Sequence, residues 1–406
     1  SEPDPVLYDG LPPALFPDTT YRFESGGTPA AIPTLTYEGF LENHRRHYRP
    51  DNAYIILYGN LDADRFLGFL DERYLAPLAA KERGPLDINP LGLQAPVAPE
   101  PVVVPMATAP ENACAAVGFV IGRAAERERI VAADILMDAI MGANESPLKR
   151  ALLDAGIADD AIGYVADSVA QPFAVVSLRG ARPGAADALR AIVEAEARRL
   201  AEGGLDHELV RAALSHAEFV MRERNFGYPD GVVLAMSAMA GWLYSDDDPA
   251  AYLRFEDVFA SLREKVEEGY FEALLRELFL DNDHRACAEV VPTESDEAAE
   301  EAEAAGEREA AAALTEDEAA SIREAVRALR EAQEAPDAPE ALAKLPQLSR
   351  ADIGEAPAEA MWEVGECGPW RLIRHYLPCR GIAYAYRYFA MDGLAFDELP
   401  YATVLA

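Results

Sequence analysis

The chain has 406 residues, 50% of them hydrophobic and 26% charged, which is enough apolar material for two or three packed domains and excludes a wholly disordered polymer. Its 71 acidic residues against 36 basic ones leave a formal charge of −35 at pH 7, a field that repels phosphate backbones and argues against a nucleic-acid-binding protein. Cys114, Cys287, Cys367 and Cys379 stand far apart without a C-x-x-C, so neither a disulfide framework nor a thiolate zinc site is indicated, and the cytoplasm or another reducing internal compartment fits best.

The amino terminus, Ser1-Glu-Pro-Asp-Pro5, has no initiator methionine and no apolar signal core, and the last residues, Phe396 to Ala406, end inside an apolar segment. Both ends suggest an internal fragment. The longest apolar run, Val232 to Tyr244, contains Ser237 and Gly241 and falls short of the roughly 18 residues a membrane helix needs.

In chain order, Thr36 is placed as an N-cap and predicts a helix over Leu35–Tyr48 closed by Pro50. A β-prone run, Ala53–Tyr58, follows and ends at Gly59-Asn60, and Asp62 then caps an amphipathic helix carrying Phe66, Leu67, Phe69 and Leu70. Six prolines between Arg83 and Pro105, with no helical period, read as a surface linker. Beyond it, Ala113–Ile121 and Pro172–Leu178 are predicted buried strands, and about Arg127–Met141 an amphipathic helix. Helical patterns follow at 184–202, 206–223 and 229–244, and another leads into a strand over Arg285–Val291, stopped by Pro292. From Glu294 to Glu340, sixteen acidic residues and four basic ones in an alanine-rich background predict a solvated helical connector, with a capping box at Thr315–Glu318 and an apolar stripe of Ile322, Val326 and Leu329. After Pro346, Trp370–Tyr376 and Gly381–Phe389 read as the two arms of a hairpin.

An internal repeat organises these elements. With an offset of 230, residues 38–52 align on 268–282 with six identities in fifteen positions: Glu38/Glu268, Gly39/Gly269, Glu42/Glu272, Arg46/Arg276, Asp51/Asp281 and Asn52/Asn282. Each copy reads helix, Asp-Asn turn, strand, so two copies of one α+β module are predicted, the first beginning before Ser1.

Few residues carry obvious chemistry. Of six histidines, only His44 and His47 are neighbours, at a helical i, i+3 spacing that a weak metal pair would use. Arg45 and Arg46 stand between them where a metallopeptidase needs a glutamate base, so a structural role is the expectation. Gly26-Gly27 is read as a tight turn, Asn282-Asp-His284-Arg285 as the corner between a helix and a strand.

Taken together, several short blocks resemble one family. These are Leu15-Phe16-Pro17, Ser25-Gly26-Gly27-x-Pro29, Ile32-Pro33-x-Leu35-Thr36-Tyr37-Glu38-x-Phe40, His44, Tyr48-x-Pro50-x-Asn52 and Tyr58-Gly59-Asn60. Further on stand Arg222-Glu223-x-Asn225, Gly231, Trp242-Leu243-Tyr244 with Asp248-Pro249, Asn282-x-His284-Arg285 and Leu345-Pro346-x-Leu348-Ser349-x-x-Asp352-Ile353. In order and spacing they are similar to the pitrilysin/insulinase class of zinc metallopeptidases, in its presequence-protease subgroup. Arg49 replaces the histidine usual before the helix-ending proline.

The resemblance implies an α+β fold of tandem modules, each a mixed or antiparallel sheet packed with helices, forming half of a clamshell with a helical connector. It implies the end of a first peptidase module at 1–82, a linker at 83–105, a second, non-catalytic module at 106–293, the acidic connector at 294–345 and the start of a third module at 346–406. It further implies that the zinc, held by the histidines of H-x-x-E-H and a distal glutamate, has its ligands and general base upstream of Ser1, and that an Arg and a Tyr of the last module lie downstream of Ala406. No catalytic or metal-binding residue is therefore assigned in this chain, its substrate-binding residues stay undefined, and alone it is expected to be inactive and to hold no zinc. The expected role is the chamber wall and hinge of an endopeptidase for short unstructured peptides, with those peptides and the missing modules as partners. The alternative is a non-catalytic structural or partner subunit of a peptidase complex.

Overall fold

The computed structural model describes residues 10–27, 31–79, 92–294, 297–354 and 361–405. The Ser1–Pro5 terminus, Pro29, the 83–91 part of the predicted linker, Ser295 and Asp296 of the connector, and Ala406 lie outside these residues. The chain divides into two compact units, one of 1–218 with 226–346 and the other of 219–225 with 347–406.

The first unit is α+β. Its five strands are β1 (Val102–Ala107), β2 (Cys114–Val120), β3 (Asp160–Ala166), β4 (Phe173–Arg179) and β5 (Arg285–Thr293), in the order β1-β5-β2-β4-β3. Only β1 and β5 run parallel, in the register Val102↔Ala288; β2 is antiparallel to β4 and β5, and β3 to β4. The middle strand β2 is buried at every position, which is why its sequence is a continuous apolar run rather than an alternation.

The helices of this unit, in chain order, are α1 (10–15), α2 (Tyr37–His47), α3 (Ala63–Leu70), α4 (Ala76–Ala79), α5 (Arg127–Met141), α6 (Pro147–Asp154), α7 (Ala185–Gly203), α8 (His207–Glu223, whose last turn falls in the second unit), α9 (Asp230–Trp242), α10 (Glu256–Lys265), α11 (Tyr270–Phe279), α12 (Glu297–Ala313), α13 (Glu316–Glu334) and α14 (Pro339–Leu342). One face of the sheet is covered by α5, α6, α7 and α11. The buried stripe Leu189, Val193, Ala197, Leu200 recurs at helical spacing along α7, and Phe279 of α11 meets Phe119 of β2 edge to face at 5.0 Å. Burial of side chains of this size is worth about 1.5–3 kcal/mol each.

The other face is covered by α1. Leu11, Ala14, Leu15 and Phe16 pack on Cys114, Ala116, Phe173, Val175, Ala286, Ala288 and Val290, the opposite alternate positions of β2, β4 and β5. Two glycines thin the sheet for its two coverings. A Cβ on Gly118 would lie 2.9 Å from Leu15, and one on Gly163 would lie 2.7 Å from Met137 of α5.

Local signals act as predicted at several points. Thr36 accepts from the Gly39 amide and starts α2, Asp62 accepts from the Arg65 amide and starts α3, and Thr315 with Glu318 closes a capping box on α13. The observed bounds of α5, and of α7 to α9, differ from the predicted ones by two residues or fewer.

Four expectations are corrected. Residues 53–58 are not in a strand of any sheet among the described residues; no other strand there pairs with them, and their tyrosines face helix residues instead. The last four residues of the predicted linker, Val102–Pro105, belong to β1, and Pro105 is tolerated because β1 is an edge strand. Pro292 does not stop β5; β2 has left the ladder after Val290, so Pro292 has only β1 beside it.

The fourth correction concerns the second unit. There β7 (Trp370–His375) pairs antiparallel with β6 (Trp362–Cys367) through a turn at Gly368, φ +60°, and not with 381–389. The tight Cys367-Gly-Pro-Trp370 link makes this the local pairing, whereas Arg380 and Gly381, both at positive φ, turn the chain out of the β7 direction. The unit ends with α15 (Leu399–Leu405).

Candidate functional site

The family-like blocks before residue 60 and those after 230 meet at α9, a helix that carries apolar residues around most of its circumference. Gly231, in its first turn, has no side chain, and the Tyr58 ring fills the space where a Cβ would stand. Trp242, its last residue, receives Tyr54 edge to face at 4.6 Å. Just past the helix, the Tyr244 hydroxyl donates to the Ser168 carbonyl at 3.2 Å and lies 3.3 Å from the Tyr21 hydroxyl, which itself accepts from the Ala170 amide at 2.9 Å. Burial, with the Tyr21 phenol beside it, pushes the Tyr244 phenol up, which keeps the Tyr244 hydroxyl a donor. Tyr54 and Tyr58 thus anchor the amino-terminal segments to α9, and Tyr21 anchors them to Tyr244 just past it.

The segment so anchored carries a long apolar surface. Leu35, Tyr37, Phe40, Leu67 and Phe69 are each at least half exposed, and Ile55, Ile56 and Leu57 lie in the unpaired stretch 53–58. Large apolar side chains exposed in this number are characteristic of an interaction face.

His44 and His47, for which a structural role is expected, each have contacts of their own. His44 is exposed and stacks on Tyr48 at 4.5 Å, Arg45 pairs with Glu42, and the His47 carbonyl accepts from the Asn52 side chain at 2.9 Å. Among the described residues no three His, Cys, Asp or Glu side chains converge where a metal could sit. Two imidazoles with no third donor among the described residues do not make up a zinc ligand set.

The other two motifs are structural. Gly27 has φ +81°, and its amide closes a turn on the Glu24 carbonyl at 3.2 Å, as the double glycine predicts. His284 is buried, 2.8 Å from Nε2 to the Leu15 carbonyl, and its amide donates to Asn282, whose side chain donates to the Val120 carbonyl at 2.9 Å. This corner locks the end of α1 to the strands beneath it. The meeting of Tyr54 with Trp242 and of Tyr58 with Gly231 is absent from any sequence periodicity; Tyr58, Gly231 and Trp242 stand in the family-like blocks, whereas no sequence signal marked Tyr54.

Comparison with known proteins bears on the family. The Peptidase M16 inactive domain family matches residues 34–216, and the associated-domain family of the subgroup C peptidases within M16 matches residues 292–406. The chain is 30% identical to protein HypA of Clostridium perfringens over 100% of its own length and 42% of that protein. It is 31% identical to Presequence protease 1, chloroplastic/mitochondrial, of Arabidopsis thaliana over 98% of its length and 38% of that protein. It therefore spans about two fifths of these relatives. A protease from Helicobacter pylori shares the fold, with a TM-score of 0.55 at 16% identity over 71% of this chain and 66% of that one. The chain belongs to the M16 peptidase family and carries its inactive domain.

Proposed function

We propose that this chain is the central, non-metal-binding portion of a zinc metalloendopeptidase that degrades short unstructured peptides, where it builds chamber wall and hinge. The observation that carries the reading is its collinear match, end to end, to about two fifths of a presequence protease, with the inactive domain falling inside it. In this reading 1–82 completes a first peptidase module, the second module opens at β1 and runs to about 293, α12 and α13 are the connector, and 346–406 opens a third module. The zinc, its H-x-x-E-H ligands and its general base belong to the upstream module, and the partner of the exposed apolar surface on 35–69 is that module. None of the four cysteines is in a disulfide, and Cys114 and Cys287 are buried, which agrees with a reducing compartment. No helix among the described residues is long and apolar enough to cross a membrane.

The deciding test is reconstitution. The 406-residue chain alone is expected to bind no stoichiometric zinc and to cleave no quenched-fluorescent peptide, and to support cleavage once the upstream and downstream segments encoded in the same reading frame are supplied. One equivalent of zinc lost on His44→Ala or His47→Ala would overturn the assignment of the metal to the upstream module. A reading frame without H-x-x-E-H before Ser1 would replace the peptidase with a non-catalytic partner subunit.

A further inference from the structure

We propose that His207, held between Glu267 and Glu272, is a pH-sensitive clasp that joins the α7–α8 turn to the α10–α11 corner. His207 opens α8, directly after the turn Gly204-Leu205-Asp206. Its Nδ1 lies 3.2 Å from a Glu267 oxygen and its Nε2 lies 3.1 Å from a Glu272 oxygen. A neutral imidazole has one N–H and one lone pair, so it can donate to only one of these carboxylates; both contacts together require the imidazolium.

The two carboxylates come from one corner of the backbone. Glu267 lies in the short turn Val266–Glu268 that ends α10, Gly269 follows at φ +75°, and Glu272 stands in the first turn of α11. Glu272 is the deeper of the two, with its side chain 17% exposed, one oxygen accepting from the Leu205 amide at 3.2 Å and the other buried without a partner. Among the described residues its one ion pair is with His207. Glu267 has a second cation, because Arg211, one turn along α8, pairs with it and with Glu208, whose amide in turn donates to Asp206. Loss of the imidazolium therefore strands Glu272 and not Glu267.

The sign of the effect follows from the two titrating groups. The hydrogen bonds and charges of Glu272 and Glu267 raise His207 above its ordinary 6.5, so its contribution is complete below about pH 6.5 and is lost as pH rises through the raised value. The hydrogen bond from His207 lowers Glu267 below its ordinary 4.5, so its contribution is complete above about pH 4.5 and is lost as pH falls through the lowered value. The clasp is closed between these limits and opens on the alkaline side, freeing the α7–α8 turn.

The test is a histidine-ring NMR titration of the 406-residue chain beside hydrogen exchange measured across the same pH series. One histidine, absent from the spectrum of His207→Gln, is expected to titrate above 6.5 and to move down in Glu272→Gln. The opening of the amides at 204–208 and 269–273, corrected for intrinsic exchange, is expected to rise through that midpoint by up to about tenfold per pH unit, the limit for one linked proton. His207→Gln, which keeps a donor but cannot titrate, should make that opening independent of pH. A His207 midpoint at or below 6.5, or an opening constant that is flat across it in the unsubstituted chain, would overturn the proposal; this second reading needs no variant to fold.

Discussion

Residues 38–52 and 268–282 share a sequence pattern and reach opposite ends of the burial scale. In the second copy, α11 buries Phe271, Leu274, Leu275, Leu278 and Phe279, and the chain passes through Asp281-Asn282 into a strand paired on both sides. The equivalent positions of the first copy are Leu41, His44, Arg45, Tyr48 and Arg49, α2 buries nothing, and the chain passes through Asp51-Asn52 into an unpaired stretch. The shared residues are those of the local turn and helix start; the differing ones are those that face a core. A helix needs only its own backbone and a cap, whereas a strand exists only beside another. The two copies separate these requirements within one chain.

Hydrogen exchange should give the widest separation. Amides of β5 are expected to exchange only through global opening and those of 53–58 almost freely, several orders of magnitude apart. If 53–58 proved as protected as β5, a partner for it would have to be sought within this chain. Core truncation comes next: Leu275→Ala, at a fully buried position, should cost about 2–5 kcal/mol in denaturant unfolding, while Arg45→Ala at the equivalent site should change stability by less than about 0.5 kcal/mol. Glycines offer a contrast of sign. Gly118→Ala would push on Leu15 and should lower stability by about 1–3 kcal/mol, whereas Gly68→Ala in α3, where a Cβ meets open space, should raise it by about 0.5–1 kcal/mol; melting temperatures would report both. The smallest separation is expected at the turn asparagines. Asn282→Ala leaves the Val120 carbonyl without its donor and should cost about 1–2 kcal/mol, and Asn52→Ala, at an exposed turn, less than about 0.5 kcal/mol.

Thiol chemistry sharpens the same contrast between covered and open residues. Burial pushes the Cys287 thiol up to about 12, so at about pH 8 it should resist alkylation in the native chain while exposed Cys367 reacts; prompt labelling of Cys287, which faces away from α1, would mean that α7 and its neighbours leave the sheet readily.

Helix limits were legible because caps and apolar stripes are local: Thr36, Asp62 and Thr315 each do in the structure what their position predicts. Strands β2 and β4 were legible because two covered faces leave a run that is apolar almost throughout, with Ser177 the buried polar exception in β4. Strand β1 was hidden by Pro105 and by the prolines before it, which suit an edge and look like a linker. The partner of β7 was not legible because alternation identifies a strand without naming its neighbour. As for the candidate site, the family-like blocks announced Tyr58, Gly231 and Trp242, but their meeting depends on packing between segments more than 170 residues apart, which no window of sequence contains.

The parallel pairing of β1 with β5 has a consequence for the order in which this protein can be assembled. Val102 pairs with Ala288, 186 positions later, so during synthesis β1 must wait for nearly the whole module to be made, roughly 10–40 s at ribosomal speed. For that interval Val102–Met106 have no strand to pair with, and the prolines flanking and interrupting β1 keep the waiting strand from recruiting a foreign edge.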